Sequence, residues 1–412
     1  MIFPSAENPI ILPTNYSAEI DVPSRKTYKK KAEPMSSTSH ISHPTSHTLP
    51  DWLDPSPWLE KKFSAADVQH ALGTESPDEE TLAALLSPAA AKFLEPMAAR
   101  AQAMTRRYFG RTIQLYIPLY LSSYCSGGCA YCGFAADRRT KRHVLSFDAV
   151  EKELTAIKAM GFEELLLLTG ERSEHADLDY LRECVKRSAR HLHNITIEVF
   201  PMAEDEYRSL AEAGCTGITL YQETYDPEIY DVMHRWGPKK DFDARIDAPS
   251  RALAGGLRFA GLGALLGLAD PRHDMIALFR HARHLQKTYW QAGLSVSFPR
   301  IRSEQGGFVA PHPVDEKMLA QIIFAFRICL PDVPMNLSTR ESASFRDGIA
   351  GIGVNKMSIA SKTTVGGYSD DGSDEGQFDI NDSRGIKPFC DMLHAKNLEP
   401  IFKNWDATYR AG

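Results

Sequence analysis

The sequence predicts an α/β protein whose main part is a closed barrel of eight parallel strands, a (β/α)8 TIM-type barrel, with helices before it and a C-terminal extension after it. From residue 111 onward, apolar runs of strand length alternate with amphipathic segments of helix length, which is the pattern of repeated strand–helix units. Eight such runs occur, at 113–121, 164–169, 195–200, 217–222, 259–266, 294–299, 335–338 and 357–360. A chain of 412 residues with 43% hydrophobic residues has room for such a barrel, which needs about 250 residues.

Composition and helix signals divide the chain into four parts. Ser, Thr, Pro and His dominate residues 34–50, and residues 1–50 contain too few apolar residues to form a core, so we predict a disordered tail over 1–50. Residues 51–110 form a predicted helical segment, with helix starts at Ser76-Pro77 and Ser87-Pro88. The barrel is expected over 111–365, where its first helix begins after Ser146 and ends at Gly161, and the extension over 366–412.

Charge and hydropathy exclude several classes of partner. A net charge of −6 and a pI near 6.2 give no reason to expect nucleic acid or an anionic membrane. No apolar run reaches membrane-spanning length, and the first residues lack the features of a signal peptide, so we expect a cytoplasmic protein. Four cysteines, at 184, 215, 329 and 390, are scattered without ligand or pairing spacing.

The other three cysteines carry the strongest chemical signal. Cys125, Cys129 and Cys132 have C-x3-C-x2-C spacing directly after the first predicted strand, with Tyr131 beside the last. A closed structural metal site normally has four protein ligands, so a set of three leaves a coordination position open for chemistry. The neighbouring Gly127 and Gly128 suit a loop that must wrap closely around a bound group. Three buried or zinc-binding cysteines are the alternative interpretation.

This cysteine spacing, with an aromatic residue before the third cysteine, resembles that of the radical S-adenosylmethionine (SAM) superfamily. The resemblance implies that Cys125, Cys129 and Cys132 bind a [4Fe–4S] cluster whose open iron is chelated by SAM. It also implies that reduction of the cluster cleaves SAM to methionine and a 5′-deoxyadenosyl radical.

Polar residues follow most of the predicted strands, at the end where barrel enzymes place their active sites. They are expected to meet at one mouth of the barrel, and they include Thr169, Gly170, Glu171, Glu198, Gln222, Arg300, Arg340 and Ser358.

A wider set of motifs resembles the 2-iminoacetate synthase (ThiH) family, the radical SAM tyrosine lyases of thiamine biosynthesis. The similarity runs from about residue 63 to the C-terminus. It rests on PLY at 118–120, CGF at 132–134, LLTGE at 167–171, YQETY at 221–225, VSFPR at 296–300, STRES at 338–342, GGY at 366–368 and FKNWD at 402–406.

The family resemblance implies a reaction and roles for individual residues. The adenosyl radical would take a hydrogen atom from the amino group of L-tyrosine, after which the Cα–Cβ bond breaks to give 2-iminoacetate (dehydroglycine) and p-cresol. Arg340 would hold the substrate carboxylate, with Tyr120 and Ser358 lining the same pocket. The residues implied for SAM are Tyr131, near the adenine, Thr169, Gly170 and Glu171, near the amino group, and Glu198, Gln222 and Arg300.

Expected partners also come from the resemblance: the thiazole synthase subunit and an electron donor such as flavodoxin or ferredoxin. A tryptophan lyase is the nearest alternative activity. Relatives that make ligands for an iron hydrogenase need a second cluster on C-terminal cysteines, and only Cys390 lies in that region. A biotin-synthase-like sulfur insertase would need a second ligand set, which is not evident. A non-catalytic iron–sulfur or zinc-binding module is the alternative from a different class.

Overall fold

The computed structural model describes residues 49–302, 307–369 and 376–403. The predicted tail lies outside the described residues except for residues 49 and 50, and so does the part of the C-terminal motif beyond residue 403. The predicted division at 51–110, 111–365 and 366–412 stays a prediction. None of the helices within the described residues has the length and apolar character that a bilayer crossing demands.

The predicted barrel of eight parallel strands is confirmed. In chain order the strands are β1 (Thr112–Tyr120), β2 (Glu164–Leu168), β3 (Asn194–Glu198), β4 (Cys215–Glu223), β5 (Phe259–Ala264), β6 (Gly293–Ser297), β7 (Met335–Leu337) and β8 (Lys356–Ser358). Each strand pairs in parallel with the next, and β8 returns to β1 through the register Leu115 to Met357, which closes the sheet.

Thirteen α-helices occur among the described residues. Four precede the barrel: α1 (Ser56–Leu59), α2 (Ala65–Gly73), α3 (Glu79–Leu85) and α4 (Leu94–Phe109). The rest are α5 (Phe147–Ala159), α6 (Leu178–His191), α7 (Glu204–Glu212), α8 (Pro227–Met233), α9 (Phe242–Ala254), α10 (Pro271–Thr288), α11 (Glu316–Cys329), α12 (Ala343–Ile349) and α13 (Ile386–Ala395).

Local signals in the sequence predict some helix ends better than others. Ser146 caps α5 by accepting a hydrogen bond from the backbone N–H of Ala149, as predicted. The N-terminal cap of α3 is Asp78, whereas the sequence predicted Ser76. The Asp78 carboxylate accepts the N–H of Thr81, and the helix begins at Glu79. Residues Pro88–Phe93 form a 3₁₀ turn before α4 instead of its first turns.

A ninth strand, β9 (Glu399–Ile401), was not predicted. It pairs in parallel with the first residues of β1, from Thr112 to Gln114, at the N-terminal foot of the barrel. Phe402 continues this contact by accepting a hydrogen bond from the backbone N–H of Glu163, 3.0 Å away, next to β2. Residues 399–402 therefore attach at the N-terminal end of the barrel, away from the loop that follows β1.

Alternation along the strands separates two environments. On β1, Leu115, Ile117 and Leu119 are completely buried in the core between sheet and helices. Tyr116 and Tyr120 point the other way, into the barrel interior, where they pack with Leu166 and Leu168 of β2. The interior therefore presents aromatic rings and hydroxyl groups towards the mouth.

Candidate active site

The loop that carries Cys125, Cys129 and Cys132 follows β1 at the mouth of the barrel. A second segment, residues 234–240 directly after α8, lies along this loop and is hydrogen-bonded to it. The backbone N–H of Gly128 donates to the carbonyl of Trp236 at 3.0 Å, and the Arg235 guanidinium donates to the carbonyl of Gly128 at 2.9 Å. The cysteine loop is thus held by a backbone ladder that the sequence did not reveal.

Two glycines are required by close approaches around the cysteines. A Cβ on Gly128 would lie 2.3 Å from Cε2 of Trp236, and a Cβ on Gly170 would lie 2.5 Å from the carbonyl oxygen of Tyr124. Neither distance is possible for real atoms, so a side chain at either position would force the Trp236 ring or the Tyr124 backbone to move. Gly170 therefore serves as a packing contact of the cysteine loop.

The cysteine thiols receive hydrogen bonds that suit thiolates. The Sγ atom of Cys125 accepts the backbone N–H groups of Gly127, at 3.4 Å, and Glu171, at 3.3 Å. The Sγ atom of Cys132 accepts from the Gln377 amide at 3.5 Å. Burial raises the pKa of the Cys129 thiol to about 12, so ionisation of this thiol needs a cation beside it.

The donor set fits an iron–sulfur cluster. Among the residues that the structure describes, no three His, Cys, Asp or Glu side chains stand close enough to hold a single metal ion. The three cysteines nevertheless line one cavity of about 620 Å³. Three thiols spaced around a shared cavity match a group with several metal atoms better than they match mononuclear zinc.

The cysteine cavity also contains charged residues, some predicted and some not. Thr169, Gly170, Glu171 and Glu198, which the family resemblance assigns to SAM, line it, and Glu223, Lys239 and Arg245 line it as well. One carboxylate oxygen of Glu171, Oε2, is buried without a hydrogen-bond partner among the described residues. A buried, unpartnered carboxylate oxygen beside the cysteines suits an ammonium group, such as the amino group of SAM.

Glu223, Lys239 and Arg245 form a buried ion network with Glu171. The Lys239 ammonium lies 2.5 Å from the Glu223 carboxylate, and the Arg245 guanidinium lies 3.2 Å from Glu171 and 3.8 Å from Glu223. Burial and the neighbouring charge of Arg245 lower the pKa of Lys239, but the charges of the Glu223 carboxylate and the Cys129 thiolate raise it further, so this residue stays cationic. Sequence reasoning missed Lys239 and Arg245, and the Gly237-Pro238 turn before Lys239 is the only signal that could have marked it.

Tyr131 packs beside the cysteine cavity. Its hydroxyl lies 2.7 Å from Nε2 of His234, whose Nδ1 lies 2.8 Å from the carbonyl of Tyr230. Burial lowers the pKa of His234 to about 2, so the imidazole is neutral. Its Nδ1–H donates to the carbonyl of Tyr230, and its Nε2 accepts a hydrogen bond from the Tyr131 hydroxyl. This arrangement fixes the tyrosine ring next to the cysteines.

A second cavity, of about 670 Å³, continues into the barrel interior. Arg340, Tyr120 and Ser358, which were predicted to surround the substrate, all line it. The Arg340 guanidinium lies over the ring of Phe378, 3.4 Å from the ring centroid. The two cavities share Tyr120, Leu168, Glu198 and Tyr221, so they meet at a junction formed by these four residues.

The C-terminal extension contributes Phe378 and Gln377 to the site, which the sequence did not predict. The Tyr120 hydroxyl donates to the Gln377 side chain at 2.8 Å, and the amide of Gln377 reaches Cys132. Gln377 therefore links the interior cavity with the cysteine loop.

Two predicted SAM residues lie apart from both cavities. Gln222 is buried with its side-chain amide 3.5 Å from the carbonyl of Phe242. Arg300 donates to the Glu341 carboxylate at 3.0 Å and to the carbonyl of Val314 at 2.7 Å. Both side chains therefore support neighbouring barrel segments in this structure.

Comparisons with known proteins agree with this geometry. Sequence profiles match the Radical SAM superfamily over residues 119–282 and the Biotin and Thiamin Synthesis associated domain over residues 297–399. The 2-iminoacetate synthase of Salmonella typhimurium is 43% identical over 345 residues, which are 84% of this chain and 92% of that protein. The Escherichia coli 2-iminoacetate synthase is 42% identical over the same shares of both chains.

A solved structure shows the same architecture. HydG, a maturase of the [FeFe]-hydrogenase, superposes with a TM-score of 0.81 at 27% identity, covering 88% of this chain and 83% of HydG. The extent and identity of the curated relatives, together with the three-cysteine loop at the barrel mouth, place the chain in a family. The chain belongs to the 2-iminoacetate synthase family of radical SAM enzymes.

Proposed function

We propose that the protein cleaves the Cα–Cβ bond of L-tyrosine to form 2-iminoacetate and p-cresol, with methionine and 5′-deoxyadenosine formed from SAM, for thiazole synthesis in thiamine biosynthesis. The observation that carries this proposal is the junction between the two cavities. One cavity holds the three cysteines and the other holds Arg340, so a cluster-bound cofactor and an amino acid would meet at the residues that both cavities share.

Cys125, Cys129 and Cys132 would hold the [4Fe–4S] cluster, with its open iron available to SAM. When bound, the cluster and SAM supply a 5′-deoxyadenosyl radical. Glu171, with its unpartnered oxygen, is suited to the SAM amino group, and Lys239, as a buried cation in the same cavity, to the SAM carboxylate. Thr169 and Gly170 shape the wall beside Cys125, and Tyr131 is proposed to pack near the adenine.

The interior cavity is proposed to bind tyrosine. Within the described residues, the Arg340 guanidinium makes no hydrogen bond to protein, so its donors are available for a carboxylate. Tyr120 and Ser358 line the cavity around the substrate, and Phe378 holds the guanidinium plane. Because Gln222 and Arg300 lie apart from both cavities, we leave them out of the proposed ligand set.

The protein partners are proposed from the family to which the chain belongs. We propose a one-electron donor such as flavodoxin or ferredoxin, and the thiazole synthase subunit as recipient of the unstable product. A cytoplasmic location is proposed because none of the seven cysteines is in a disulfide, which suits a reducing compartment.

Product analysis tests the proposed activity. The full chain, reconstituted anaerobically with iron and sulfide, is given SAM, a reductant and either tyrosine or tryptophan. We expect p-cresol from tyrosine and no indole acid from tryptophan. Indole products from tryptophan would indicate the alternative lyase, and zinc retained without a cluster would indicate the non-catalytic module. Cys129→Ala should lose cluster absorption and SAM cleavage, whereas the buried Cys184→Ala, outside the cavity, should keep both.

A further inference from the structure

The junction between the two cavities contains a carboxylate without a protein partner. Within residues 49–302, 307–369 and 376–403, the side chain of Glu198 forms no hydrogen bond and no close ion pair. Glu341, the other carboxylate that lines the interior cavity, is engaged by Arg300 and by Arg302, the latter at 2.7 Å. Glu198 is therefore the one available anion among the residues lining that cavity.

Arg340 is the complementary cation of the same cavity. The guanidinium of Arg340 acts on the Glu198 carboxylate through its charge, yet the two side chains do not pair directly. The carboxylate and the ammonium of an α-amino acid are attached to one carbon. A cation and an anion that lie near each other without pairing can therefore bind these two groups at the same time.

We propose that Glu198 receives the ammonium group of the bound amino acid and removes one proton from it before the hydrogen atom is abstracted. This inference rests on the proposed function. The proton moves from the substrate nitrogen to Glu198, so that an ammonium and a carboxylate become a neutral amine and a carboxylic acid. No other bond changes, and the nitrogen gains the lone pair that favours loss of a hydrogen atom from it.

The position of Glu198 suits this role better than a role in SAM binding alone. It lines both cavities, so a nitrogen held against it also faces the cofactor side. Burial raises the pKa of Glu198 to about 7. The difference between this pKa and that of the substrate ammonium is therefore smaller, which makes proton transfer from the nitrogen to Glu198 easier. The charged and titratable groups that act on Glu198, or on which it acts, are Arg340, Glu223, Lys239, Arg245, Tyr116, Tyr120 and Tyr221.

Proton release on tyrosine binding tests the proposal without turnover. Burial raises the pKa of Glu198 to about 7, so at pH 6 its carboxyl group is partly protonated and must ionise to receive an ammonium. The cluster-loaded full chain, without SAM, should therefore release up to one proton per tyrosine bound, measured by calorimetry in buffers of different ionisation enthalpy. Glu198→Gln should release none. Glu204→Gln, an exposed carboxylate on α7, should behave as the unchanged chain does.

Kinetics give the second arm. For the unchanged chain, kcat/KM for tyrosine, measured as p-cresol formation, should rise as the pH passes through about 7. In Glu198→Gln, kcat/KM should fall by about 10²–10⁴ and should no longer rise with pH between 6 and 8. The Kd for SAM should change by less than about twofold. Glu198→Asp should recover part of the activity, and it replaces the Gln variant if that fails to fold.

The outcomes separate the two proposals. If the unchanged chain makes no p-cresol from tyrosine, the proposed function fails. If it makes p-cresol, but Glu198→Gln still releases a proton on tyrosine binding and still shows the rise of kcat/KM with pH, the role of Glu198 is overturned. Loss of SAM binding with tyrosine binding intact would also overturn it and assign Glu198 to the cofactor.

Discussion

Arg340 is the residue on which the proposed substrate site depends most directly. It sits at the end of β7, stacks on Phe378 and keeps its hydrogen-bond donors free of protein partners within the described residues. Because SAM is proposed to bind through other residues, loss of Arg340 should separate cofactor cleavage from product formation.

The Arg340→Ala variant should still form some 5′-deoxyadenosine but little p-cresol. Truncating one partner of a buried charged contact costs about 2–5 kcal/mol, which raises the tyrosine KM strongly. Lysine at this position keeps the charge but loses the planar fork, so it should restore only part of the activity. Arg302→Ala, at a neighbouring arginine paired with Glu341, serves as control and should keep most of the coupling. A near-normal KM and tight coupling in Arg340→Ala would mean that the carboxylate is held elsewhere.

Gly128 is the second residue whose environment gives a sharp expectation. Gly128→Ala places a methyl group on the Trp236 ring, and the clash should cost about 1–3 kcal/mol and lower the iron content per chain. The double variant with Trp236→Ala should regain cluster loading, because it removes the obstructing ring. Gly73→Ala has no atom within 4 Å of the new methyl group and should leave the iron content unchanged. Equal iron content in all variants would show that the contact does not control the loop.

At the scale of elements, the C-terminal extension is tied to the barrel by a buried ion pair. Arg346 of α12 pairs with Asp382 and also donates to the carbonyl of Ser358 on β8. Arg384 pairs with the same carboxylate at 2.8 Å. Since Gln377 and Phe378 lie in this extension, the pair also positions two walls of the site.

Asp382→Asn should destabilise the protein by about 3–5 kcal/mol, because it leaves the buried guanidinium of Arg346 uncompensated. Burial alone would raise the pKa of Asp382, but the hydrogen bonds of Arg384 and the charge of Arg346 lower it below 3.8. The stability that this carboxylate contributes is therefore present above pH 3.8 and is lost as the pH falls through its lower folded-state pKa. Thermal unfolding measures the change. Asp391→Asn, in an exposed pair with Lys387, should cost at most about 1 kcal/mol.

Elements also show what the sequence could predict and why. The eight strands were predictable because buried parallel strands are continuous apolar runs, such as Leu165–Leu168 in β2. The position of Thr169, Glu198 and Arg340 at the same end of the barrel followed from strand direction alone. Lys239 and Gln377 were not predictable, because they lie in loops without periodicity and reach the site through tertiary contacts. Arg300 follows a strand as Arg340 does, but it turns to Glu341, and only side-chain packing distinguishes the two.

For the whole molecule, we expect that residues 1–48 are dispensable for catalysis. Their composition lacks the apolar residues that a core needs, and the described residues supply both cavities. Deletion of these residues should leave p-cresol turnover within about threefold of the full chain. The deletion leaves residues 49 and 50 in place, because Leu49 packs against the core. A large loss of turnover with the cluster fully loaded would contradict this expectation.

The closure of the barrel has a consequence for the order of events during synthesis. The cysteines follow β1, which pairs with β2 and also with β8 and β9, and the last two strands end only at Ser358 and Ile401. Arg340, Gln377 and Phe378 also emerge from the ribosome long after the cysteines. A nascent chain that exposes its thiols therefore has neither the closed wall nor the residues that cover them. We therefore expect the complete site, with both cavities closed, to form only after almost the entire chain has been made.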